Sequence, residues 1–280
     1  MNVNYYDAYQ LKMELTLKNI SQILMKQCFE IQNPGLLHGK MGLVVFFFHY
    51  AQFIGNSLFE EKALELMERI QQQIALQPDM DYANGLTGIG VGIEYLAQHG
   101  FIDNDTDDIL EAVDSQVYLN IAFKNHSDVD SCTFLAELGR YLLFRIHNPA
   151  AGDHKISTLN HKTWLIHIVD LIEQFYLQQN DKSMPVIYRF LTELNSTGIS
   201  PCKVKRLVAN IKSISFEKID ILTDVSYRKN LERKISRQLK DMEGNSFTNL
   251  SPQLYGGLSG IGMYLLGMLN GRHKSWLQLL

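Results

Sequence analysis

Residues 84–98 read NGLTGIGVGIEYLAQ, and related stretches occur twice more in the chain: HGKMGLVVFFFHYAQ at 38–52 and GGLSGIGMYLLGML at 256–269. The pattern that they share is G-x-x-G followed at once by an apolar residue, and its glycine pairs are Gly39 and Gly42, Gly85 and Gly88, and Gly257 and Gly260. A single G-x-x-G is a weak motif. Three copies in the same apolar context indicate an internally repeated fold.

The spacing of the copies suggests the size of the repeat. Gly39 and Gly85 are 46 residues apart, which is the length of two helices with their loops. The 172 residues between Gly85 and Gly257 have room for two or three further helix pairs whose glycines have been lost.

Two kinds of predicted helix alternate along the chain. Segment 57–76 has apolar residues at helical spacing and charges between them, whereas segment 40–54 is apolar almost all round and should be buried on every side. Helices with a single apolar face, which we call one-faced, are predicted at 6–29, 57–76, 105–122, 159–178 and 203–241. Helices that are apolar on all sides, which we call buried, are predicted at 40–54, 86–99, 132–147, 184–195 and 258–270.

This alternation predicts an all-α fold. Buried inner helices paired with one-faced outer helices form an α/α toroid of about five or six helical hairpins, and an open solenoid is the competing arrangement. Closure is favoured because the concave face of a solenoid would leave the apolar inner helices in water. No linker-like run divides residues 1–280, so we expect a single domain.

Glycines at the start of an inner helix have two interpretations. They allow close backbone approach where neighbouring helices crowd together. They also leave the first N–H groups of the helix bare, which would suit an anion or a carbonyl oxygen.

Composition excludes several classes of function. The formal net charge is -4, so we expect no nucleic-acid partner. The N-terminal residues lack the basic start and apolar stretch of a signal peptide, and the longest apolar run, 43–48, is too short to span a bilayer. Cys28, Cys132 and Cys202 lie far apart and do not form a disulfide pattern. We therefore expect a cytoplasmic protein without membrane insertion.

The three glycine segments resemble the repeat motif of the LanC-like (lanthionine synthetase C-like) family. The resemblance covers roughly residues 35–54, 82–100 and 252–271. It implies a toroid with the glycine motifs at the starts of the inner helices. It also implies a role in the modification of ribosomally made peptides, in which a zinc ion held by two cysteines and a histidine activates a substrate thiol.

The zinc ligands of that family are not found in this chain. The two positions before the motif glycines are Leu37-His38, Ala83-Asn84 and Tyr255-Gly256. His38 is the only zinc-binding residue type among them, and a catalytic zinc needs three protein ligands. We predict that no zinc or other cofactor is bound, and that the protein binds a precursor peptide as a degenerate cyclase.

Four residues are candidates for ligand binding. His38, Asn84 and Tyr255 stand directly before or close to the motif glycines, at the expected mouth of the toroid. Glu94 lies on an inner helix that is otherwise apolar, where a carboxylate needs water or a partner. No catalytic residue is identifiable.

Two other functions stay open. A carbohydrate-active enzyme of the six-hairpin toroid type would use paired carboxylates with aromatic platforms, drawn from Glu94, Asp79, Asp81, Asp130, Tyr82 and Tyr255. A purely structural or interaction module is a third possibility that nothing in the sequence excludes, because a fold alone does not define a function.

Overall fold

The computed structural model describes residues 5–74, 79–103, 105–124, 129–150, 155–176, 184–214, 233, 250–271 and 275–280. These residues contain no strand, and their helices are α1 (Tyr5–Gln27), α2 (Lys40–Ile54), α3 (Ser57–Ile74), α4 (Leu86–Gln98), α5 (Asp107–Phe123), α6 (Val129–Ile146), α7 (Ile156–Tyr176), α8 (Met184–Asn195), α9 (Pro201–Ile214) and α10 (Leu258–Asn270). A short 3₁₀ helix, Ser275–Leu279, follows. The all-α prediction is confirmed. The part of the predicted helix 203–241 that follows residue 214 falls, except for Arg233, outside the described residues.

Helices α2 and α3 show the predicted difference between buried and one-faced helices. Every residue of α2 from Lys40 to Ala51 is buried. The buried residues of α3 recur every three or four positions and are Phe59, Ala63, Leu66 and Ile70. The apolar stripe of α3 therefore faces the protein while its charged side faces water.

Helix α8 differs from the prediction. Segment 184–195 was expected to be buried on every side, but among its side chains that the structure describes, 185–195, only Ile187, Phe190, Leu191 and Leu194 are buried. These residues follow helical spacing, and Thr192 is exposed between them. The polar residues of α8 lie on the opposite face, so α8 has a single apolar face and is a one-faced helix.

The chain divides into two compact units. Unit 1 comprises Met1–Asp79, Ala83–Gly92 and Arg228–Leu280, and unit 2 comprises Met80–Tyr82 and Ile93–Tyr227. Within unit 1, α10 packs against α1 and α2, and α3 packs against α2. Within unit 2, α6 packs against α7 and α8, and α8 packs against α9. The toroid, its five or six hairpins and the single domain over residues 1–280 stay predictions.

No helix in the described part of the chain is long and apolar enough to cross a membrane.

Candidate functional site

Each glycine motif is preceded by a loop that caps the following helix in the same way. The first helical N–H donates to a carbonyl oxygen seven residues earlier: Lys40 N to Asn33 O (2.9 Å), Leu86 N to Asp79 O (2.9 Å) and Leu258 N to Ser251 O (2.8 Å). The same bond in three places confirms the repeat at the level of the backbone. Because the chain's own carbonyls take these N–H groups, the expectation that they are bare is wrong for the first residue of each helix.

The motif glycines make room for these loops. A Cβ atom on Gly39 would collide with the carbonyl oxygen of Asn33, and one on Gly257 would lie 2.5 Å from that of Ser251. The carbonyl oxygen in each case belongs to the residue six positions earlier. Close backbone approach therefore explains these glycines without a ligand.

Backbone hydrogen bonds join the three loops within unit 1. Leu37 N donates to Ala83 O (2.9 Å), and Leu37 O accepts hydrogen bonds from Leu254 N (3.1 Å) and Tyr255 N (3.0 Å). The first loop thus lies between the other two. We call residues 33–39, 83–85 and 251–257 the loop cluster.

His38 and Tyr255 meet in the loop cluster. Their rings pack edge to face with centroids 6.1 Å apart. Tyr255 is 42% exposed, although it is a large aromatic residue. Among the described residues, His38 Nδ1 is buried and has no hydrogen-bond partner. A buried polar atom without a partner is uncommon and points to a group that something else satisfies.

Asn84 is the third predicted ligand residue in the loop cluster. Its Oδ1 accepts a hydrogen bond from Asn33 Nδ2 at 2.7 Å. Asn33 was not singled out in the sequence, because an asparagine before a Pro-Gly turn is an ordinary loop residue. The structure therefore brings His38, Asn84 and Tyr255 together in one unit.

Glu94, the fourth predicted ligand residue, belongs to unit 2 and is fully buried. Oε1 accepts hydrogen bonds from Thr106 Oγ1 (2.5 Å) and Arg145 Nη1 (2.5 Å), and Oε2 accepts one from Asn148 Nδ2 (2.6 Å). Burial raises the pKa of the Glu94 carboxyl, and the three donors oppose that rise. Both oxygens are engaged inside the protein.

Arg145 connects Glu94 to a second buried carboxylate. It donates to Asp114 from Nε (3.2 Å) and Nη2 (2.8 Å), and Tyr141 OH also donates to Asp114 (2.6 Å). One guanidinium thus holds side chains from α4, α5 and α6 together. Neither Arg145 nor Asp114 was selected from the sequence; a lone arginine in the apolar stretch LLFRI was the available signal.

His161 lies against this network. Its Nδ1 is 2.7 Å from Tyr118 OH, and its Nε2 is 3.8 Å from Asp114 Oδ2. Burial lowers the pKa of His161 to about 4 and the Arg145 charge adds to this, although Asp114 acts in the opposite direction. His161 is therefore neutral near pH 7.

A polar depression opens beside the network, between the loop before α5 and the start of α7. It encloses about 190 Å³ including open solvent, which is below the usual size of a ligand pocket. Lys155 Nζ bridges Asp107 Oδ2 (3.0 Å) and Asp105 Oδ2 (3.3 Å) across it. The charged groups of the depression are paired with one another.

Two of the residues considered for a glycosidase are placed unfavourably. Glu94 has no exposed surface, and Tyr82 is buried with the Arg140 guanidinium carbon 4.3 Å from its ring centroid. Neither can meet a sugar in this arrangement. The Asp130 side chain lies outside the described residues.

Metal ligands are likewise not assembled in the described part of the chain, where no group of three or more His, Cys, Asp or Glu residues could hold a metal ion. Cys28 and Cys132 are buried, and Cys202 is exposed. Burial raises the pKa of the Cys28 thiol, whose sulfur donates to the Met25 carbonyl oxygen.

Comparison with known proteins identified no match to this chain among protein-family models, curated proteins or solved structures.

Proposed function

We propose that this is a LanC-like protein that binds a precursor peptide of ribosomal natural-product modification at the loop cluster. The observation that carries the proposal is that three glycine loops, distant in sequence, are hydrogen-bonded into one cluster. That cluster holds the three motif-adjacent residues His38, Asn84 and Tyr255, which the resemblance places at the mouth of the toroid.

The side chains of the loop cluster suit a peptide. Tyr255 is an exposed aromatic residue, and Leu37 and Asn84 are partly exposed. Aromatic rings with polar groups beside them are typical of surfaces that bind polypeptides. The ammonium of Lys40 is turned inward, where Nζ donates to Gln73 Oε1 at 2.7 Å.

The packing of the chain ends supports ring closure. Helix α10 contacts both α1 and α2, so the last described repeat returns to the first one within unit 1. A closed toroid requires such a contact between its first and last hairpins, whereas a solenoid keeps them apart.

The residues present do not fit the zinc of the LanC-like cyclases. The loop cluster contains a single zinc-binding side chain, His38, and Leu37 stands at the position where the family has a cysteine. A single imidazole cannot provide the three protein ligands of a catalytic zinc. The proposed role is therefore peptide binding without thiol activation by a metal.

Peptide selection tests the proposal. A random peptide library displayed on phage is selected on the wild-type protein, and a selected peptide is labelled for fluorescence anisotropy. We expect Tyr255→Ala and His38→Gln each to weaken binding about tenfold, as expected for the loss of a central aromatic or hydrogen-bonding contact. Tyr9→Ala, which removes another exposed tyrosine, from α1, is the matched control.

Two results would each overturn the proposed function. Either no peptide is enriched, or the enriched peptides bind the Tyr255→Ala and His38→Gln variants as tightly as the wild type. A gene for a short peptide with a Gly-Gly leader beside the gene for this chain would provide the natural partner for the same measurement.

A further inference from the structure

The two nitrogens of the His38 ring have different surroundings. Nδ1 is buried and has no hydrogen-bond partner among the described residues. Nε2 also makes no hydrogen bond within the described part of the chain, but it is not buried and faces solvent. A ligand that arrives from solvent can therefore reach Nε2, whereas the protein itself closes off Nδ1.

The burial of Nδ1 decides which nitrogen carries the proton of the neutral ring. A neutral imidazole has one N–H group and one nitrogen lone pair. A buried N–H without an acceptor is rarer in proteins than a buried acceptor without a donor. The proton of neutral His38 is therefore on Nε2, where water or a ligand can accept its hydrogen bond.

The backbone on both sides of His38 is held in place. Leu37, the residue before it, is hydrogen-bonded through both its N–H and its carbonyl oxygen, and Lys40 N donates to Asn33 O. The ring itself packs edge to face against Tyr255, with centroids 6.1 Å apart. A donor that is held in place before binding loses little conformational entropy when its ligand arrives.

We propose that His38 binds the peptide as a hydrogen-bond donor, from Nε2–H to a main-chain carbonyl oxygen of the peptide. This inference rests on the proposed function and specifies the group that is recognised. The Nε2–H positions the peptide main chain, and the exposed ring of Tyr255 beside it packs against a neighbouring peptide side chain. His38 thus acts in recognition as a neutral donor.

His38→Phe separates this role from a structural one. Phenylalanine keeps an aromatic ring beside Tyr255 and removes both nitrogens, including the buried Nδ1 that has no partner. We expect the affinity for the selected peptide to fall about tenfold through loss of one hydrogen bond, while the melting temperature does not fall. A structural role would lower both. His167→Phe, which replaces an exposed histidine of α7, is the matched control and should change neither.

Analogues of the selected peptide identify the acceptor. Replacing one amide at a time by an ester weakens the carbonyl oxygen as an acceptor and removes an N–H group. N-methylation at the same position removes the N–H group but keeps a strong carbonyl acceptor. We expect one ester position to weaken binding to the wild type about fivefold and to leave binding to His38→Phe unchanged, whereas N-methylation there has no such His38-dependent effect.

The position of the ring proton is measured without a peptide. In protein labelled with ¹⁵N-histidine, the neutral His38 ring should show a protonated Nε2 and an unprotonated Nδ1, and His38→Phe identifies its resonances. A proton on Nδ1, or an ester series without a His38-dependent position, would overturn the inference. Peptides that bind wild type and His38→Phe equally, but not Tyr255→Ala, would overturn it while the proposed function stands. If no peptide is enriched, the proposed function fails and the inference fails with it.

Discussion

Arg145 and Glu94 form a buried ion pair in unit 2, with 2.5 Å between Nη1 and Oε1 and side chains that are 2% and 0% exposed. Removing one member of such a pair leaves the other charge buried without compensation, which costs far more than loss of a surface pair. We therefore expect unit 2 to be most sensitive to substitution at Arg145 and Glu94.

Arg145→Met should lower the free energy of unfolding by about 3–5 kcal/mol, because Glu94 and Asp114 lose their common cation. Urea unfolding followed by circular dichroism measures the change. Arg206→Met is the control: Arg206 pairs with Glu173 at the surface and should contribute less than about 1 kcal/mol. Equal effects of the two substitutions would contradict a central role for the Arg145 network.

Gly42→Ala and Gly260→Ala should each destabilise the protein by about 1–3 kcal/mol through overpacking. A Cβ atom on Gly42 would lie 2.5 Å from the Leu36 carbonyl oxygen, and one on Gly260 would collide with that of Leu254. Gly55→Asn is the control, because nothing lies within 4 Å of its Cβ position and asparagine tolerates the φ of 64°. Loss of peptide binding with unchanged unfolding would instead assign these glycines to the ligand.

Stability should fall on acidification between about pH 6.5 and pH 4 because of His161. The pKa of His161 is about 4 in the folded protein and near 6.5 in the unfolded chain, so only the unfolded chain binds the proton in this interval. The free energy of unfolding is therefore lower by about 3 kcal/mol at about pH 4. The free energy of unfolding, measured with urea at several pH values, should depend less steeply on pH in His161→Asn than in the wild type. His167→Asn replaces an exposed histidine of the same helix and should leave this pH dependence at its wild-type value.

We expect the purified protein to contain no stoichiometric zinc, since His38 stands without cysteine ligands in the loop cluster. Elemental analysis of protein prepared without a histidine tag provides the measurement, and treatment with EDTA should leave the melting temperature unchanged. About one zinc per chain, lost on His38→Ala or Cys132→Ala, would show instead that a metal site exists.

Local signals in the sequence were sufficient to locate the helices. The segments 40–54, 184–195 and 258–270 were predicted with the bounds that α2, α8 and α10 have in the structure. Apolar periodicity and glycines at helix ends depend only on residues within one or two helical turns of each other, so these features are visible in the sequence alone. For the same reason the three glycine motifs were placed correctly at helix starts.

The burial of α8 and the role of Glu94 were decided only by tertiary structure. A run of apolar residues does not show how many of its sides will be covered, because that depends on which helices pack against it. A carboxylate on an apolar helix can face a cavity or an ion-pair partner, and Arg145, the partner of Glu94, lies 51 residues further along the chain. The sequence by itself determined the helices and the repeated glycine loops, since these depend on neighbouring residues. The pairing of distant charges, and the meeting of His38 with Tyr255, depended on contacts that only the folded chain creates.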